Sequence, residues 1–226
     1  MKTAMVLAAG KGVRMRPLTD NLPKALLPAG GRPLLQYHLE NLARAGVDRI
    51  VINYARFGKM IVDRFGNGRA FGVDIVYSAE GDEPLETGGG IKKALPLLGP
   101  DAFIVVNADV WTDYDFKRLP PAPAGLAHLV LVPNPNHHKQ GDFTLDNDKV
   151  ADGTELRFTY SGIGVYKPEF FSGCTEETFS LAPLLRAAAG GGAISGEIYN
   201  GLWMDIGTPE RLHQLDEMLA GGGKFD

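Results

Sequence analysis

Residues 8–31 read AAGKGVRMRPLTDNLPKALLPAGG and set Lys11, Arg14, Arg16 and Lys24 against one acid, Asp20. Glycines let backbone N–H groups approach the oxygens of an anion, and fixed cations neutralise its charge. On Gly10-Lys11-Gly12 alone the stretch reads equally as an ordinary turn. No Gly-Lys-Ser/Thr closes it, and Met15 stands where a dinucleotide fingerprint needs its third glycine. Four cations along one loop would suit an anion of several charges.

Two aspartates far along the chain offer a second kind of chemistry. Asp109 follows the apolar run FIVVNA, just beyond the carboxyl end of a strand, where open α/β sheets bind ligands. It reads as a turn or capping residue or as a metal ligand. Asp205, in WMDIGT, reads by itself as an Asp-x-Gly turn. Asp113-Tyr114-Asp115 is a competing D-x-D metal motif. It does not sit at the strand end, so a short helix capped by Asp113 or Asp115 is expected instead. His137 and His138 are adjacent and point apart on any regular element, so they read as loop residues. Cys174 reads as a plain thiol, and Trp111 and Trp203 as packing residues.

The elements that must position these groups follow from periodicity. Residues 3–9, 49–53, 73–78 and 102–107 are apolar runs of buried-strand length. Between them, 33–45, 57–65 and 89–98 have helical spacing, the first opened by Pro33 and closed by Gly46. Alternating strands and helices imply parallel strands joined by right-handed crossovers. The expected fold is a three-layer α/β/α sandwich with a mostly parallel, Rossmann-like mixed sheet. The proline-rich stretch LPPAPAG (119–125) breaks the rhythm. Strands are expected after it at 126–132, 142–145, 156–166 and 193–199, with helices at 181–189 and 208–219. Thr208 would be the last helix's N-cap and Pro209 its first residue. This second half is expected to cover one end of the first sheet, and the tail 221–226 to fray.

The totals are those of a globular chain able to bury a full core: 226 residues, 44% hydrophobic, net charge −4. Mild acidity argues against nucleic acid or a membrane surface as the main partner. No apolar run approaches the roughly 20 residues of a membrane span, and the start does not resemble a signal peptide. A single cysteine cannot form an internal disulfide. A cytoplasmic protein of one domain, 1–226, is expected.

Taken together, LAAG, Gly12-x-Arg14, Arg16-Pro-Leu-Thr, Pro23-Lys24 and Gly31-Arg-Pro-Leu resemble the signature of the sugar-1-phosphate nucleotidyltransferases. The stretch EPLETGGG (83–90) is similar to that family's Pro-Leu-Gly-Thr-Ala-Gly motif: Pro84, Leu85, Thr87 and Gly89 match, and Glu86 replaces a glycine. A second departure is Ala25, where the family often has proline. The resemblance implies the nucleotide-diphospho-sugar transferase fold, with a nucleotide-binding half at 1–118 and a sugar-binding half at 119–226. It implies nucleotide contacts from Ala8, Ala9, Gly10, Lys11, Gly12 and Val13, with Glu80, Thr87 and Gly88 at the base and sugar. Arg14 would hold the leaving pyrophosphate, and Lys24 the reacting phosphates. Asp109 and Asp205 would hold Mg²⁺. Asn107, Asp142 and Glu155 would bind the acceptor sugar, beside Ser161-Gly162. Glu155 is followed by Leu-Arg where relatives have Lys-Pro, so it stays open between sugar ligand and surface acid.

The substrates so implied are a nucleoside triphosphate and a sugar 1-phosphate, without nucleic acid or membrane, in a monomer or small homo-oligomer. The variant LETGGGIKKALPLLG followed by NADVWTDYDF most resembles the branch that joins UTP to N-acetylmuramic acid α-1-phosphate in cell-wall recycling. A muramyl acceptor's lactyl carboxylate would want a cation, with Lys139 and Arg157 as candidates. GTP with mannose 1-phosphate is the alternative within the family. A non-catalytic nucleotide-sugar sensor is an alternative of another class, against which Lys24, Asp109 and Asp205 speak.

Overall fold

Uninterrupted apolar runs become strands covered on both faces, and the computed structural model, which describes residues 2–221, shows where each lies. The first half contains β1 (Thr3–Leu7), the short strands β2 (Pro28–Ala29) and β3 (Arg32–Pro33), α1 (Leu34–Arg44), β4 (Arg49–Tyr54), α2 (Gly58–Phe65), β5 (Asp74–Ala79), α3 (Glu86–Leu98), β6 (Phe103–Asn107) and β7 (Val110–Thr112). The second half contains β8 (Ala127–Val132), β9 (Thr144–Asp146), β10 (Lys149–Ala151), β11 (Thr159–Tyr166), α4 (Leu181–Gly190), β12 (Ile194–Ile198), β13 (Trp203–Asp205) and α5 (Pro209–Ala220).

Nine strands form one sheet in the order β5-β4-β1-β6-β11-β8-β12-β10-β9. The strands β5, β4, β1 and β6 are parallel. β11 runs antiparallel to both β6 and β8, and β10 runs antiparallel to both β12 and β9. With β12 parallel to β8, only β11 and β10 oppose the common direction. The sheet is therefore mixed and mostly parallel, as expected. The position of the second half is a correction. It extends the sheet instead of covering its end, because β8 and β11 are buried on both faces and need strand neighbours as well as face contacts. The short strands β7 and β13 pair antiparallel in a separate ribbon that begins just after β6.

Each face of the sheet has its own core. Leu35, Leu39 and Leu42 of α1 pack with Ile61 and Phe65 of α2 on one side. Ile91, Ala94 and Leu98 of α3 pack with Leu181 and Leu185 of α4 on the other. A third, smaller core lies under the β7–β13 ribbon and joins Met15, Leu27, Leu34, Trp111, Ile206, Leu212 and Leu215. It binds the cationic loop, α1 and α5 into one block. Among the described residues no helix is long and apolar enough to cross a membrane. The expected frayed tail lies, beyond Gly221, outside the described residues.

α3 begins at Glu86, three residues before the periodicity places it, so all three glycines of GGG are helical. Each costs about 1 kcal/mol of helix propensity against alanine, and close packing is the compensating reason. A Cβ at Gly90 would lie 2.4 Å from Glu80 Oε1 and 2.8 Å from Asn53 Nδ2. Those two atoms are bonded to each other in the interior, so neither can retreat without losing its partner. Overpacking of this kind costs about 1–3 kcal/mol and should exceed the propensity gain. Gly90→Ala is therefore expected to lower the denaturation midpoint; a neutral or stabilising result would contradict this packing.

Candidate active site

Three parallel strands end at one cleft. The backbone leaving β1 (Ala8, Ala9, Gly10), Asn53 near the end of β4, and Asn107 to Asp109 after β6 line its floor. Lys24, Pro84, Glu86 and Thr87 form its walls. The Ala8 N–H donates to Asn53 Oδ1 at 2.8 Å, and Asn53 Nδ2 donates to Glu80 Oε1 at 2.7 Å. Glu80 Oε2 accepts the Leu85 N–H at 2.8 Å. Glu80 is thus a strut between β4 and the segment entering α3, 7% exposed and outside the lining of this cleft. At Gly88 a Cβ would lie 2.3 Å from the Phe179 ring, so its Cα side faces a packing contact. Thr87 lines the cleft while its Oγ1 accepts the Leu181 N–H at 2.9 Å.

The cationic loop folds back on itself where Thr19 Oγ1 donates to the Gly12 carbonyl at 2.8 Å. Its outer turn exposes Val13. Lys11 meets Glu83 at 2.5 Å with both side chains exposed, a pair worth little in stability. Lys11, Arg16 and Arg56 line a second recess that shares Ala9, Gly10 and Pro84 with the main cleft. Arg14, in a 3₁₀ turn (Val13–Met15), is anchored by buried Met15 beside it.

The two aspartates meet through backbone pairing. In the β7–β13 ribbon Asp205 lies opposite Val110, and the Ile206 N–H donates to the Asp109 carbonyl at 2.7 Å. Each carboxylate already has cationic company. Lys24 Nζ is 2.5 Å from Asp109 Oδ2, with the lysine side chain 12% exposed. Asp205 Oδ2 pairs with Arg211 at 3.0 Å, and Oδ1 with His137 Nε2 at 2.8 Å. Arg14 belongs to the same group. A Cβ built at Gly207 would lie 2.1 Å from Arg211 Nη2, 3.2 Å from Asp205 Oδ2 and 3.3 Å from Arg14 Nη2. The expected residues Arg14, Lys24, Asp109 and Asp205 are therefore brought together.

Arg211 and His137 were not expected here. The one signal for Arg211 is its place three residues after Thr208, where a capping helix prefers an acid or amide. For His137 there was none. Among the described residues no group of three or more His, Cys, Asp and Glu side chains is arranged to hold a metal. Two carboxylates of hard oxygens, one from the turn between β6 and β7 and one from β13, fit a magnesium ion completed by phosphate oxygens.

On the acceptor side the expectations divide. Asn107 lines the cleft, against Gly162, where a Cβ would fall 2.7 Å from Asn107 Nδ2. Gly162 lies in an irregularity of the β11–β8 pairing between Tyr160 and Ile163. Asp142 is engaged at both oxygens, by His138 Nε2 at 3.0 Å and the Tyr160 N–H at 2.9 Å. It shapes its own loop. Glu155 is exposed and not among the cleft residues. Arg157 is committed to the Asp142 carbonyl and to Asp152, and Lys139 is exposed. In the D-x-D, Asp115 accepts from Lys117 N as cap of a 3₁₀ turn, and Asp113 accepts from Leu202 N. Both are structural, as expected.

Behind Asp109, His38 of α1 is 1% exposed and donates Nε2–H to the Val110 carbonyl at 2.7 Å. Burial lowers its pKa from 6.5 to about 4, outweighing the Val110 bond and nearby Asp109, which raise it. The unfolded chain therefore takes up a proton below about pH 6.5, the folded one only near 4. Stability should fall as pH drops through that window, by about 3 kcal/mol at most. His38→Gln should flatten the denaturation midpoint's pH dependence between 6.5 and 4 by about one proton; an unchanged slope would contradict the buried neutral imidazole.

Residues 3–152 match the family model described as Nucleotidyl transferase. The chain is 47% identical to the N-acetylmuramate alpha-1-phosphate uridylyltransferase of Neisseria meningitidis serogroup B, over 98% of this chain and 99% of the relative. It is 35% identical to the enzyme of the same name from Caulobacter vibrioides, over 97% of each. Its fold is that of a putative glucose-1-phosphate thymidylyltransferase from Bacillus anthracis, solved in complex with a sucrose: TM-score 0.84, 20% identity, 97% of this chain and 95% of that one. The strand-end cleft holds Lys24 and Asp109, with Asp205 and Arg14 joined to them through the β7–β13 ribbon and Gly207; relatives match the chain along nearly its whole length, and it belongs to the nucleotidyl transferase family.

Proposed function

We propose that the protein joins UTP to a sugar 1-phosphate, with N-acetylmuramic acid α-1-phosphate as acceptor, giving the UDP-sugar and pyrophosphate. The observation that carries this reading is the Lys24–Asp109 pair in the cleft, with Asp205 beside it. The two full-length relatives carrying the uridylyltransferase name support the choice of substrates.

An acceptor phosphate oxygen attacks the α-phosphorus, and the bond to the bridging oxygen of pyrophosphate breaks. The attacking oxygen is already ionised, so no side chain need remove a proton. The protein's tasks are alignment and charge neutralisation. Ala8 to Gly10 offer backbone with no bulky side chain against the nucleotide, at a height set by the Ala8–Asn53–Glu80 chain of hydrogen bonds. Lys24 neutralises the reacting phosphates, and Arg14 holds the departing pyrophosphate. Asp109 and Asp205 would hold Mg²⁺, which when bound supplies Lewis-acid stabilisation of the phosphoryl oxygens. Asn107, at the end of β6, orients the acceptor.

Pyrophosphate release should be measured over UTP, GTP and dTTP against muramyl, mannosyl and glucosyl 1-phosphates. The highest kcat/KM is expected for UTP with the muramyl acceptor; a preference for GTP and mannose 1-phosphate would replace the reading. Release with no pair would favour a sensor. Asp109→Asn should lower kcat/KM by at least about 10²- to 10³-fold while leaving the melting temperature near the parent's. Near-normal turnover in magnesium would remove Asp109 from the metal site.

A further inference from the structure

Arg211 occupies a place that helix physics disfavours. Thr208 is the N-cap of α5 and Pro209 its first residue, so Arg211 sits in the first turn. There the helix dipole penalises a cation by about 0.3–1 kcal/mol, and a capping box would supply an acid or amide. Nor does apolar packing explain it, since Leu212 and Leu215 carry the buried face of the helix. The side chain is nonetheless 14% exposed, and its Nε is buried without a hydrogen-bond partner among the described residues.

Its surroundings make the placement stranger. Arg14 and Arg211 both reach the same point over Gly207, and the carboxylate recorded at that point is Asp205. Two guanidinium groups so close repel unless an anion lies with them. If a divalent ion takes over the charge of Asp205, the pair is left in need of another anion. A phosphate group, with two oxygens for each planar fork, meets that need.

We propose that Arg211 is a phosphate-binding residue kept in place by Asp205: without metal it neutralises that carboxylate, and with metal bound it joins Arg14 on the pyrophosphate end of the triphosphate. The inference rests on the reading of Asp205 as a metal ligand. Asp205 thus exchanges a protein cation for a metal ion, and the released cation becomes a substrate contact.

The test uses the full chain and two probes, Mn²⁺ followed by electron paramagnetic resonance without nucleotide, and inorganic pyrophosphate followed by calorimetry with Mg²⁺ present. Arg211→Gln should bind Mn²⁺ about tenfold more tightly than the parent, because the competitor for Asp205 is gone. It should bind pyrophosphate at least about tenfold more weakly. Arg211→Lys keeps the charge without the planar fork; it should fold like the parent, hold Mn²⁺ affinity near the parent value and still weaken pyrophosphate. Unchanged Mn²⁺ affinity in Arg211→Gln, or unchanged pyrophosphate affinity in both variants, overturns the proposal. Asp205→Asn separates the two layers. If it leaves Mn²⁺ binding intact, the metal reading falls and takes this proposal with it. If it abolishes Mn²⁺ binding while Arg211→Gln leaves it unchanged, the proposal alone falls.

Discussion

One backbone hydrogen bond, from the Ile206 N–H to the Asp109 carbonyl, joins the two ends of this chain's chemistry. It continues the β7–β13 ribbon past its last pair and sets Asp205 beside Asp109. A three-residue ribbon has little stability by itself. What holds it is the small core beneath, where Ile206, Trp111 and Met15 pack with Leu34 of α1 and with Leu212 and Leu215 of α5. Met15 neighbours Arg14, Ile206 neighbours Asp205, and Leu212 neighbours Arg211. A charged residue thus stands next to each of these apolar anchors. Burying the anchors is what aims the charges.

The electrostatics of the site follow from that aim. The two neighbouring carboxylates each gain a cation, Lys24 on Asp109 and Arg211 on Asp205, and His137 Nε2 lies 2.8 Å from the second oxygen of Asp205. Lys24 and Arg211 are largely shielded from water, so these pairs are less screened than those on the surface. Behind them His38 stays neutral and clamps the Val110 carbonyl, which limits how far β7 can shift. The arrangement sets carboxylates against cations, and each set holds the other in position.

The opposite wall of the cleft is shaped by close approach. The glycines of α3 bring that helix against Phe179, the backbone of Glu177, and the Glu80–Asn53 pair. Glu86, at the start of the helix and in the cleft wall, has φ +60, a conformation that costs a side-chain-bearing residue about 1–2 kcal/mol. The motif that α3 resembles has glycine at that position, so Glu86 stands in the cleft wall at a backbone cost.

Much of this was written in the chain. The strand and helix order of the first half, α1 opened by Pro33, α5 capped by Thr208, the cationic loop and the strand-end position of Asp109 all follow from local periodicity and from residues with one dominant conformational use. The contacts of Glu80, Gly88 and Asp142 did not follow, because a motif position does not say which way a residue faces. Glu80 turned inward to Asn53 of β4 and the Leu85 N–H, Gly88 met a ring from a segment far along the chain, and Asp142 closed on His138. The strands β7 and β13 are too short for any period to show. His137 and Arg211 reach Asp205 only through packing between distant segments. Sequence determined which charges exist and which elements carry them. The partner of each charge was left to tertiary structure, because ion pairing depends on distances of a few ångströms that only the packed core sets.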